Sequence, residues 1–322
     1  MKKNNKYFLI IGICSLLCIG YFIADNILFD GIRPKNIREK GIHAQLFLPK
    51  KGKNNTTVVL LGGGQWGDYW GQYFAKNNFT GLSLAYTRQP GLPLLPEAID
   101  LAYFENTLRW LQKQPAVAPN KIVVMGASRN AELALVLAAT FPELIHGVIA
   151  YAPSSVSWSN TVLPFNSDDL KASWVYHNQD IPYVPMDKIK PDSTGTLQML
   201  SYWQRGLSKP AAKNAAIAVE NIQGPILLFS GLDDQVWPSA SMANQIENRL
   251  QQHNFSHSVQ NIQYAQAGHL ITTNPDQRSK QYQASLLIEG TSYPYNFGGN
   301  SEGDVKAKQD ARTKLMLFLK KL

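Results

Sequence analysis

The stretch VVMGASRNAELAL, Val123–Leu135, runs from an apolar segment through Gly-x-Ser into a series of strong helix formers. That is how a strand-to-helix nucleophile elbow looks in sequence, a sharp turn that lifts a serine hydroxyl above the end of a buried strand. Asn130 stands where the second glycine of the motif belongs. The competing reading is a serine in the first turn of a buried helix. The rest of the chain decides between them by supplying, or failing to supply, a base, an acid and an oxyanion-binding loop.

Working outward, KIVVMG, GVIAYAP and GPILLFSG are short, nearly continuous apolar runs bounded by turn residues. This is the pattern of strands buried on both faces of a parallel sheet. HAQLFLP, TTVVLLGGG and GLSLAY add further strands, with the turn-rich KKGKNN and the short helix DYWGQYFAKNN between them. Leu101, Phe104, Leu108 and Leu111 recur at helical spacing and Pro115 closes the segment, which predicts an amphipathic helix packed on the sheet. The alternation of strand and helix predicts an α/β fold with a doubly wound, mostly parallel sheet, whose ligands bind beyond the C-terminal strand ends. An insertion at about 154–221 reads as a lid, since Tyr176 to Glu220 is rich in Pro, Trp, Tyr and Ser and has no clear period. VKAKQDARTKLMLFLKKL is the last helix.

The chain has 322 residues, 44% of them apolar, enough for one large α/β domain. Its start differs from the rest. Lys2, Lys3 and Lys6 precede Tyr7–Ala24, which carries no charge, and a helix of that length reaches roughly 27 Å, close to the hydrocarbon thickness of a bilayer. The segment reads as an uncleaved anchor or as a signal peptide; Phe22-Ile23-Ala24 has a bulky residue where cleavage wants a small one. With Asp25 and Asp30 following, the positive-inside rule puts the N-terminus in the cytoplasm. The folded domain is then expected outside it, on the periplasmic or extracellular face, or secreted after cleavage. The expected plan is a membrane anchor or signal over 1–24, a linker over 25–40 and a catalytic domain over 41–322.

Cys14 and Cys18 both fall in the leading segment. The folded part therefore has no thiol to form a disulfide, ligate zinc or act as nucleophile. The net charge of +8 shrinks once the three leading lysines are set aside, leaving 28 basic against 23 acidic residues, and these are scattered. A solubilising surface accounts for them, and no nucleic-acid partner is expected.

A serine hydroxyl attacks only when an imidazole takes its proton, and the imidazole needs a carboxylate to fix its tautomer. LLFSGLDDQVWP places Asp233 and Asp234 after one buried strand, and YAQAGHLI places His269 after the next, giving the hydrolase order Ser, Asp, His. His43, His146, His177, His253 and His257 lie in a leading strand, loops, the lid and a polar run, and read as surface or structural residues. Asp234 is preferred to Asp233 because it stands four residues before Pro238. The oxyanion donors expected are the N–H of Arg129, directly after the serine, and that of Gly64 or Gln65 in LLGGGQW, where glycines let backbone approach substrate closely. A dinucleotide loop would need fuller G-x-G-x-x-G spacing than GGGQWG has.

The strings LSLAY, AIDLAYFENTLRWLQKQPAV, NKIVVMGASRNAELALVLA, VIAYAPSSV, VENIQGPILLFSGLDDQVWPS and AGHLI, with Phe297-Gly298-Gly299 before AKQDARTKLMLFL, together resemble one known family. It is the C-terminal catalytic domain of the acyl-CoA thioesterases and bile acid-CoA:amino acid N-acyltransferases, which are dienelactone-hydrolase-like α/β-hydrolases. The resemblance runs from about Thr57 to the C-terminus. It implies the α/β-hydrolase fold, with Ser128 as nucleophile, Asp234 as acid and His269 as base. The family has glycine where this chain has Asn130, and a β-sandwich domain often stands where the apolar segment stands here. Asn is the residue that most readily replaces Gly in left-handed backbone, so the elbow is expected to form. Serine, where the amidating members carry cysteine, points toward transfer to water.

The expected function is cleavage of an acyl thioester, acyl-CoA-like, or an ester through an acyl-enzyme, with no metal or redox cofactor. The alternatives are transfer of the acyl group to an amine, and a non-catalytic hydrolase-fold binding protein at the cell envelope. Trp174, Tyr176, Tyr183, Tyr202 and Trp203 are candidate walls of an acyl pocket, with lid core as the competing reading.

Overall fold

The computed structural model describes residues 2–29, 31–50, 55–160 and 168–322. The central sheet has eight strands: β1 Lys35–Glu39, β2 Ile42–Phe47, β3 Asn55–Leu61, β4 Thr80–Ala85, β5 Val117–Ala127, β6 Val148–Tyr151, β7 Ile226–Gly231 and β8 Val259–Tyr264. Their spatial order is β1-β2-β4-β3-β5-β6-β7-β8. β2 runs antiparallel to both neighbours, and from β4 to β8 every pairing is parallel. The helices longer than four residues are α1 Lys2–Phe29, α2 Gly64–Lys76, α3 Ala102–Gln112, α4 Arg129–Thr140, α5 Met199–Leu207, α6 Ser239–Gln252 and α7 Ser301–Leu319.

Two apolar clusters sandwich the sheet. Leu108 of α3, Leu133 of α4 and Ile246 of α6 fill one face, and Trp70 and Phe74 of α2 with Leu315 of α7 fill the other. β5 feeds both, Ile122 and Val124 into the first and Val123 and Met125 into the second. That double burial is why its sequence is apolar without alternation. The doubly wound, mostly parallel sheet expected from the strand–helix alternation is the one found.

Two expectations change, and one element comes without a sequence signal. The linker expected over 25–40 ends in β1, a sheet strand from Lys35; only Ile37 of its five residues is buried, so it carries no apolar signal. An antiparallel hairpin, β9 Gln283–Ile288 with β10 Thr291–Asn296, projects before α7. Its Leu286, Tyr293 and Tyr295 pack with Ile189, Leu197 and Met199 of the insertion. Lastly, the membrane span expected over 7–24 falls in α1, yet among the described residues no helix is long and apolar enough to cross a membrane.

Between β6 and β7 the chain leaves the sheet. It adds the short strands Trp174–Tyr176 and Gln179–Asp180, the first pairing parallel with Ile99–Asp100, and then α5. Residues 161–167 of the expected lid lie outside the described residues.

Candidate active site

β5 delivers the chain to Ser128, which takes φ 57 and ψ −122 before α4 begins. A non-glycine residue at positive φ costs on the order of 1–3 kcal/mol and persists only where its surroundings over-determine it. Here the Ser128 N–H donates to the Tyr151 carbonyl at 2.8 Å, and the Ser128 carbonyl accepts from the N–H of Ala131 at 2.8 Å and of Glu132 at 3.2 Å. Gly126 is required as well, because a Cβ there would overlap the backbone carbonyl of Asn130. Asn130 itself lies within α4 and is not among the positive-φ residues. The left-handed residue of the turn is thus the serine, and the expectation that Asn130 replaces glycine for its backbone freedom is corrected.

The Ser128 Oγ lies 3.1 Å from His269 Nε2. On the other side of the ring, Nδ1 is 2.9 Å from Asp234 Oδ2 and 3.1 Å from Oδ1. The buried Asp234 carboxylate also accepts from the N–H of Val236 at 2.9 Å, the N–H of Trp237 at 3.1 Å and the Ser239 hydroxyl at 2.7 Å. Asp233 is turned elsewhere, accepting from Gln235 Nε2 and the Gly299 N–H, both at 2.8 Å. The structure therefore brings Ser128, His269 and Asp234 together and leaves Asp233 out.

What aligns the two loops is Phe297–Gly299. The Phe297 carbonyl accepts from the N–H of His269 at 2.9 Å and of Gln235 at 3.3 Å. Gly298 has φ 71, and a Cβ on it would overlap the Asp233 carbonyl oxygen, as one on Gly299 would overlap the Gly268 nitrogen. One turn on, the Asp304 carboxylate accepts from the Gly268 N–H at 3.0 Å, and burial raises its pKa. Reading residue by residue missed this clamp; its local signal was a pair of adjacent glycines.

Gly62, Gly63 and Gly64 all have positive φ, 95, 60 and 62. A Cβ on Gly63 would come within 3.0 Å of the Ala85 nitrogen. Gln65 and Arg129 fall in the first turns of α2 and α4, where N–H groups have no intrahelical acceptor and the helix dipole favours negative charge. Trp66 Nε1 donates to the Thr272 carbonyl at 2.9 Å, tying this loop to the segment after His269.

The Arg129 side chain turns into the protein. It pairs with Glu132 at 2.5 Å and donates to the Ser159 carbonyl at 3.1 Å and to the Ser173 hydroxyl. Glu132 is fully buried and accepts from the Trp158 N–H at 3.1 Å and from Trp174 Nε1 at 2.8 Å. Burial pushes its carboxyl up, against the pull of Arg129. Trp174, a candidate pocket wall, is only 1% exposed and braces the core through Glu132. Tyr176 and Tyr202 spend their hydroxyls on Glu105 and the Asp187 carbonyl. Tyr183 is half-buried. Trp203 of α5 packs edge-on to Trp158 at 4.8 Å and to Trp237 at 5.6 Å. Trp237, which sequence reasoning did not single out, stands edge-on to His269 at 6.1 Å. Among the described residues no group of three or more His, Cys, Asp or Glu side chains could hold a metal ion.

A sheet of this order with a strained serine above β5, facing a histidine, is an α/β-hydrolase fold with a serine-hydrolase arrangement of side chains. The family described as BAAT / Acyl-CoA thioester hydrolase C terminal matches residues 99–322, and the chain belongs to it. Acyl-coenzyme A thioesterase 6 of Homo sapiens is 28% identical over 95% of this chain and 69% of its own length. Acyl-coenzyme A amino acid N-acyltransferase 2 of Mus musculus is 27% identical over 90% of the chain and 66% of its own length. Among solved structures, a Klebsiella pneumoniae protein described as a dienelactone hydrolase aligns with a TM-score of 0.52 at 13% identity, over 90% of this chain and 98% of that one. This last likeness concerns the fold.

Proposed function

We propose that the protein is a serine hydrolase that cleaves an acyl thioester of the acyl-CoA kind, or an ester, through an acyl-enzyme. The observation that carries the reading is the line Ser128 Oγ, His269 Nε2 and Nδ1, Asp234 Oδ2, with contacts of 3.1 and 2.9 Å. Ser128 Oγ attacks the carbonyl carbon while His269 Nε2 takes its proton, and Asp234 stabilises the imidazolium. The oxygen of the tetrahedral intermediate receives the N–H of Arg129 and of Gln65 or Gly64. As that intermediate collapses, His269 returns the proton to the departing thiolate or alkoxide. Water, deprotonated by the same nitrogen, then attacks the acyl carbonyl, and His269 passes that proton to Ser128 Oγ as the acyl–oxygen bond breaks and the carboxylic acid leaves. Trp203 and Tyr183 remain the residues assigned to the acyl chain.

The family membership and the relative named as a thioesterase support the thioester as substrate class. The relative named as an N-acyltransferase makes an amine the other acceptor to test. Purified full chain is incubated with acyl-CoA and p-nitrophenyl esters, with and without glycine or taurine. Release of free acid at a rate unaffected by amine supports hydrolysis; N-acyl product at the expense of acid supports transfer. Turnover of neither class contradicts the proposal.

We place the hydrolase domain outside the cytoplasm. This rests on the sequence alone, on the lysines before the uncharged segment 7–24 and the aspartates after it. Protease added to spheroplasts is expected to digest the domain, and a protected domain contradicts the placement.

A further inference from the structure

Asn130, the residue by which this chain departs from the glycine of its motif, fills a notch among three elements. Its Oδ1 accepts from the Tyr86 hydroxyl at 2.6 Å. Its Nδ2 lies 2.5 Å from where a Cβ on Gly62 would stand, so the amide occupies the space beside Gly62. Tyr86 follows β4 directly, is 6% exposed, and burial holds its pKa far above the ordinary tyrosine value. The residue before it, Ala85, is the backbone against which Gly63 packs.

From this contact set we infer that Asn130 is a positioning residue that braces the Gly62–Gly64 loop, together with Tyr86, so that the loop's N–H meets the developing oxyanion. The inference rests on the hydrolase reading above. Three successive glycines at positive φ give the loop little stiffness of its own, and an oxyanion donor acts only if it is aimed before the charge appears. A glycine at 130 would leave the buried Tyr86 hydroxyl without its acceptor and open space beside Gly62. The asparagine is in this account a side-chain replacement for a packing contact, with its backbone ordinary.

The test uses Asn130→Gly, Tyr86→Phe and the double variant in the full chain, with the ester and thioester substrates that the wild type turns over. Each single change is expected to lower kcat by about 10- to 100-fold with KM within about twofold, since a displaced oxyanion donor loses transition-state and not ground-state binding. The double variant should be no slower than the slower single one, because both remove one contact. Affinity for a trifluoromethyl ketone, whose adduct on Ser128 carries the oxyanion, should fall in step with kcat, while the pH profile of kcat stays unchanged. A purely structural role would lower the thermal midpoint and leave ketone affinity and kcat of the folded fraction alone, overturning the inference. Tyr86→Phe removes one hydroxyl, so it reads the brace even if Asn130→Gly folds poorly. An active wild type with Asn130→Gly as fast or faster overturns this inference only. An inert wild type overturns the hydrolase reading, and this inference with it.

Discussion

The two halves of the candidate site are built by different means. Around Ser128 the geometry comes from crowding between near neighbours in sequence: Gly126 under the Asn130 carbonyl, and Ser128 forced to positive φ. Around Asp234 and His269 it comes from a distant clamp, with Gly299 bonded to Asp233 across 66 positions and Asp304 to Gly268 across 36. The first half is rigid because atoms have nowhere else to go. The second is aligned by hydrogen bonds and two close backbone approaches that only the folded chain creates. The halves should therefore fail differently when disturbed.

The largest effect is expected on the nucleophile side. Ser128→Ala should lower the hydrolysis rate by about 10⁴-fold or more, and adding His269→Ala should lower it little further, because the residues act as a unit. Losses that multiply would break the account of a coupled site. Next comes the carboxylate pair. Asp234→Asn should cost about 10³- to 10⁴-fold in kcat, because it upsets the imidazole tautomer, whereas Asp233→Asn, which disturbs only the clamp, should cost roughly tenfold. The reverse ranking would transfer the acid role to Asp233.

The clamp has its own test. Gly298→Ala puts a side chain where φ is 71 and the Asp233 carbonyl already stands, so the backbone must shift. Kinetics should then show roughly a 10²-fold loss in kcat with a chain that still folds. Gly126→Ala should instead cost several kcal/mol, about 3 or more, in unfolding free energy, because strand and helix must part. Equal consequences from the two substitutions would erase the distinction drawn between the halves.

The smallest expected effect concerns pH and Glu132. Burial raises its carboxyl above the ordinary 4.5, so the folded state holds the proton more tightly than the unfolded chain. Its contribution to stability is then complete below about 4.5 and is lost as pH rises through the raised value. Glu132→Gln, neutral throughout, should flatten the fall of the thermal midpoint with rising pH in that window. A steeper fall in the variant would mean that the Arg129 attraction outweighs burial.

The same division explains what could be read in the sequence. The strands β5, β6 and β7 and the Gly-x-Ser turn declare themselves because burial on both faces and a crowded turn leave few residue types possible. The order of Ser128, Asp234 and His269 along the chain likewise follows from strand ends in a parallel sheet. β1 did not declare itself, since an edge strand with one buried residue has no period to show. Position in the motif points to Asn130 as the left-handed residue, but it does not say which residue carries that backbone; Ser128 does. For Trp174 the sequence leaves pocket wall and lid core both open, because the partner that decides for the core, Glu132, lies 42 positions away.

The central claim is that Ser128 is the atom that forms the covalent bond. Intact-mass measurement of the full chain after reaction with a fluorophosphonate tests it most directly. The account predicts one adduct per chain, mapped by peptide digestion to the segment bearing Ser128, absent in Ser128→Ala and retained in Asp233→Asn. Labelling that persists in Ser128→Ala, or a folded wild type that takes up none, would contradict it.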